Sequence, residues 1–86
     1  MSRKNVIVSN VSEGYDNPIA ELVQLACRFD SEITLESDNR RINAKSIMGM
    51  MSLGLDNGED ITIVCDGADE AMAAGEVEKF LIGEAS

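Results

Sequence analysis

Histidine is absent from the 86 residues. That excludes every mechanism built on imidazole: a Ser/His triad, a histidine metal site, a phosphohistidine relay. Cysteine is scarce: Cys27 and Cys65 lie far apart in apolar runs, with no CxxC pair. Zinc binding and thioredoxin-like redox chemistry therefore have no support, and both thiols are expected to be buried as small hydrophobes. Positive charge is also short. Seven basic residues face sixteen acids, a net charge of −9. The phosphates of nucleic acid or an anionic membrane would be repelled, so direct binding to either is not expected. No run approaches the ~18 apolar residues of a membrane span. No h-region with a small-residue cleavage site is seen, so the chain reads as cytoplasmic. Repeats, linkers and low-complexity segments are lacking. Residues 1–86 read as one domain with one modest core and no large enclosed cavity.

The charge is unevenly placed. Residues 1–55 hold seven acids and six bases, whereas residues 56–86 hold nine acids and Lys79 alone. An anionic group would therefore be expected near Arg28, Arg40, Arg41 or Lys45. The acidic half reads as a solvated surface.

The pattern of apolar residues gives the element order. Lys4–Ser9 is rich in β-branched residues and predicts a strand. Pro18 fits a first helical position, with Asn17 or Asp16 as N-cap, and the Ile19, Leu22, Val23, Ala26 spacing predicts a helix over about 18–28. Glu32–Glu36 alternates as a half-buried strand, Ser37-Asp38-Asn39 forms a turn, and Arg40–Ala44 returns antiparallel. Ser46 caps a short helix over about 47–53, with Gly54 at its exit. Asp60–Asp66 is the strongest strand signal. Ala71, Ala74, Val77 and Leu81 then fall on one face of a closing helix between Asp69 and Ile82. The β-α-β-β-α-β-α order predicts an α+β fold: a four-stranded, mostly antiparallel sheet with three helices on one face.

Three segments invite a chemical reading. Ser46 stands at a helix start, where a phosphate would complement the dipole, and Ile47, Met48 and Met51 beside it could form an adaptable apolar patch. A plain serine cap over a core-facing methionine stripe explains the same spacing. The Gly14-Tyr15-Asp16-Asn17-Pro18 loop ends at a helix N-terminus, but its acids suit the dipole without any ligand. Asp56-Asn57-Gly58-Glu59-Asp60 lacks the ligand spacing of an EF-hand loop and reads as a turn. No metal site, cofactor site or nucleophile–base pair emerges, so the chain does not read as an enzyme.

Ile42-Asn43-Ala44-Lys45-Ser46-Ile47-Met48-Gly49-Met50-Met51-Ser52-Leu53 closely resembles the regulatory-serine segment of HPr, the small phosphocarrier family of the bacterial sugar phosphotransferase system. Pro18–Gln24 with Phe29-Asp30-Ser31 resembles that family's first helix. Ile61-Thr62-Ile63 followed by Asp66–Ala71 resembles its last strand and helix entry. The resemblance implies an open-faced β-sandwich. Counting back from Pro18, Tyr15 occupies the position of the family's phosphate-accepting histidine and Asn17 that of its arginine. This pattern is similar to the Crh-type members, which resemble HPr without the active histidine. The resemblance then implies phosphorylation of Ser46 by the bifunctional HPr kinase/phosphorylase and a role in carbon catabolite repression. The phosphoprotein would bind a LacI-type catabolite repressor through Ile47, Met48 and Met51. Two other readings stand beside this one. The chain could be an HPr-fold interaction or scaffold module that has lost both switches, or a phosphocarrier using Tyr15 or Asp16. The methionine patch could also serve a homodimer.

Overall fold

The alternation in Asp60–Asp66 sets the centre of the molecule. A computed structural model describes residues 1–9, 17–53 and 58–83. In it this segment is strand β4, paired on both sides. The other elements are β1 (Ser2–Ile7), α1 (Pro18–Ala26), β2 (Glu32–Ser37), β3 (Arg40–Asn43), α2 (Ile47–Leu53) and α3 (Glu70–Leu81). The sheet order is β1-β4-β2-β3 and every pairing is antiparallel. The expected order and architecture are both present.

Period-2 alternation divides the two faces of the sheet. Ile33, Leu35, Ile61, Ile63 and Cys65 all turn inward and are buried. α3 packs against β1, β4 and β2, while α1 packs against α2 and α3. Each fully buried Leu or Ile contributes about 1.5–3 kcal/mol relative to exposure. The opposite face is polar. There Glu36 accepts from Arg3 at 2.9 Å and faces Arg41 at 3.2 Å, and the Asn5 amide donates to Asp60 and Thr62.

Some boundaries differ from the sequence expectation. β1 begins at Ser2, not Lys4, because Ser2 and Arg3 pair with Cys65 and Val64. Polar residues are tolerated there because one face of the strand is open to water. Val8 and Ser9 leave the ladder and donate to the carbonyls of Glu59 and Leu81. α1 ends at Ala26; Arg28 and Phe29 donate to carbonyls three residues back, so the chain tightens into 3₁₀ turns. Asp38 and Asn39 have φ of 49° and 67°, the left-handed pair that a two-residue hairpin needs. In α3 the buried face is Ala73, Ala74, Val77, Phe80 and Leu81. Ala71, expected on that face, is exposed because two residues' rotation at about 100° each carries it away. Cys65 is buried as expected, but Cys27 is exposed, since it follows the last residue of α1 beyond its packed face.

Candidate functional site

The Ser46 segment is shaped by short-range hydrogen bonds. The Asn43 side-chain oxygen accepts from the Lys45 N–H at 2.8 Å, and its carbonyl accepts from the Ser46 N–H at 3.0 Å. This Asx-type turn lifts the chain off β3. Ser46 then caps α2: its Oγ accepts from the Gly49 N–H at 3.3 Å and its carbonyl from the Met50 N–H at 2.9 Å. A side chain at Gly49 would meet Ile42 Cγ2 at 3.1 Å, so glycine allows α2 to lie close to β3.

Met50 and Leu53 anchor α2 in the core. Ile47, Met48 and Met51 point outward, with exposures of 48%, 81% and 66%. Spacings of i+3 and i+4 put these three on one helix face. Thus only Met50 and Leu53 of the expected core stripe are core, and the half-buried Ser46 hydroxyl sits at the start of an exposed apolar patch.

The basic residues around this patch are largely engaged. Lys45 Nζ donates to the Phe29 carbonyl at 2.7 Å. Arg41 pairs with Glu36. The Arg40 guanidinium donates to the Ser52 carbonyl at 2.7 Å and to the Ser52 hydroxyl. Of the anion-binding candidates Arg28, Arg40, Arg41 and Lys45, the last three tie elements together.

Asn17 is exposed, and its side-chain oxygen accepts from the Ala20 N–H at 3.3 Å. It is the N-cap of α1. Tyr15 and Asp16 lie outside the described residues, as do Gly54, Asp56 and Asn57. Among the described residues, no group of three or more His, Cys, Asp or Glu side chains is placed to hold a metal ion. No helix among them is long and apolar enough to cross a membrane.

One cluster had no signal in the spacing. The Asp69 carboxylate accepts from the backbone N–H groups of Asp30 and Ser31 at 2.9 and 3.0 Å, and from the Ser31 hydroxyl. The Ser31 hydroxyl, then the Asp30 amide, hold its carboxyl below the usual carboxylate range. Gly67 lies against the same turn: a Cβ there would sit 2.6 Å from Ser31 Cα.

A four-stranded antiparallel sheet with one open face, three helices on the other and a capping serine at the start of the second helix define the open-faced β-sandwich of small phosphotransferase-system proteins. The family model for the HPr component phosphorylation site of that system matches residues 2–82. The HPr of Thermoanaerobacter tengcongensis is 36% identical, over 94% of this chain and 91% of that one, with a TM-score of 0.85. The phosphocarrier HPr of Bacillus anthracis is 38% identical, over 93% and 95%, with a TM-score of 0.82. Crh of Bacillus subtilis, a catabolite-repression protein, is 34% identical, over 94% and 88%, with a TM-score of 0.76. The chain belongs to the HPr family and is Crh-like.

Proposed function

We propose that this protein is a regulatory, non-carrier member of the HPr family, switched by phosphorylation of Ser46. The observation that carries the reading is a serine cap beside an exposed Ile47–Met48–Met51 face, in a chain with no histidine. Tyrosine at position 15 is a poor carrier: its phenol stays neutral near pH 7, and its phosphate ester lacks the transfer potential of a phosphoramidate. The HPr kinase/phosphorylase would transfer phosphate from ATP to the Ser46 hydroxyl, releasing ADP. The product gains about −1.5 to −2 charges and three strong acceptor oxygens. A LacI-type catabolite repressor would then meet the phosphate with basic side chains and the three apolar residues with a flexible apolar surface. The protein acts in the cytoplasm as a regulator and not as a catalyst.

The test is intact-mass analysis after incubation with ATP and the HPr kinase/phosphorylase of the same organism, beside Ser46→Ala. One added phosphate, lost in the variant, is the expected result. No added phosphate with an active kinase favours an unswitched interaction module. The use of the Asn17 side chain as a helix cap supports that second reading. Crh of Bacillus subtilis forms a swapped-domain dimer and HPr of Thermoanaerobacter tengcongensis a dimer, which supports a homodimeric form here as well. Light scattering across a concentration series measures that directly.

A further inference from the structure

α2 has seven residues, too few to be stable in isolation. Its orientation must come from tertiary contacts. Met50 and Leu53 fix its inner face, and Ser46 caps its first turn. Its last turn carries no basic residue to meet the negative end of the dipole. Arg40 supplies that charge from β3, with its guanidinium on both the carbonyl and the hydroxyl of Ser52. The backbone aims it there, because Arg40 directly follows the left-handed Asp38-Asn39 pair that turns β2 into β3.

We infer that Arg40 is a positioning residue for the Ser46 switch: it clamps the C-terminal turn of α2 to the β2–β3 hairpin, and so holds Ser46 and the Ile47–Met48–Met51 face in the arrangement a kinase reads. This rests on the Ser46 reading above. Releasing the clamp lowers the fraction of molecules with α2 in place. An incompletely populated binding-competent state raises the apparent KM by the reciprocal of that fraction and leaves the chemical step unchanged. Because Arg40 is exposed, the docking equilibrium of α2 is expected to shift by a modest three- to tenfold, roughly the effect of one solvent-screened charged hydrogen bond.

The experiment compares the full chain with Arg40→Ala and Arg40→Lys in two readouts. One is steady-state phosphorylation by the HPr kinase/phosphorylase. The other is amide exchange of Met50 in the free protein, whose N–H is bonded to the Ser46 carbonyl. Arg40→Ala is expected to raise KM about two- to threefold at unchanged kcat and to speed Met50 exchange, with the global unfolding midpoint little moved. Arg40→Lys is expected to recover part of both, since an ammonium keeps the charge and the donors on a shorter side chain that reaches Ser52 less well. A raised KM with unchanged Met50 exchange would make Arg40 a direct kinase contact and overturn the inference. Unchanged KM would overturn it too. No phosphorylation of the unsubstituted chain overturns the Ser46 reading and this one with it. Faster Met50 exchange in Arg40→Ala would still show that the clamp exists.

Discussion

The carboxylate of Asp69 grips the turn at Ser31, taking the backbone N–H and the hydroxyl of that one residue together. Asp69 occupies the N-cap position of α3 yet makes no side-chain cap bond of its own. Its charge serves the Asp30–Ser31 turn, joining the segment after α1 to the start of α3. The bond depends on ionisation. Asp69 has a folded pKa below its unfolded one, so its stabilisation is complete above about pH 4 and is lost as pH falls through the folded value. Glu70 adds to the same window: the N-terminal ammonium of Met1 and then the Gly67 amide hold its carboxyl down. We expect the urea midpoint to fall between pH 6 and pH 3. Asp69→Asn should be less stable than the parent at pH 6, and the gap should narrow toward pH 3. Paired urea titrations across that range check this, and a gap constant with pH would exclude the charge as the cause.

Gly67 faces the same turn at a distance no side chain tolerates. Gly67→Ala would place a Cβ 2.6 Å from backbone Ser31, where no flexible end can yield. Overpacking of this kind costs roughly 1–3 kcal/mol. The denaturant midpoint should fall with little change in m-value. Gly75→Ala is the internal control, since a Cβ there meets nothing within 4 Å and the position is helical.

Ser46→Ala removes the cap bond to Gly49 as well as the phosphate acceptor. A lost serine cap costs about 0.5–2 kcal/mol. The variant should therefore be slightly less stable even without a kinase, by calorimetry or urea titration. Ser46→Asp keeps an acceptor at the cap and should regain most of that loss.

The two thiols should separate cleanly in reactivity. Cys27 is exposed, whereas Cys65 is buried and desolvation pushes its thiol pKa up. One equivalent of a thiol reagent should react quickly at neutral pH, and the second only at the rate of unfolding. Cys27→Ser should abolish the fast phase.

Much of the fold could be read from periodicity. The spans of β4 and α2 are those the pattern predicts, because β4 is half-buried on both neighbours and Ser46 and its apolar run mark α2 plainly. The failures have physical causes. The apolar stripe predicted for α3 starts at Ala71, a residue too small to reveal by hydrophobicity which way it faces. Cys27 continued the apolar run of α1 but lay past the point where the chain tightens. The exposure of Ile47, Met48 and Met51 was not decided by spacing, since a helix with five apolar residues in seven can bury either side. The grips of Arg40 on Ser52, Lys45 on Phe29 and Asp69 on Ser31 join residues 12, 16 and 38 positions apart, and no local pattern encodes such contacts.

The sheet order has a consequence for how the chain is made. β1 pairs only with β4 among the described strands, and Ser2 meets Cys65. β1 therefore leaves the ribosome ahead of its partner and waits until Asp60–Asp66 has been translated. During that wait its edge is free, and the charges of Arg3 and Lys4 protect it from pairing with a neighbouring nascent chain.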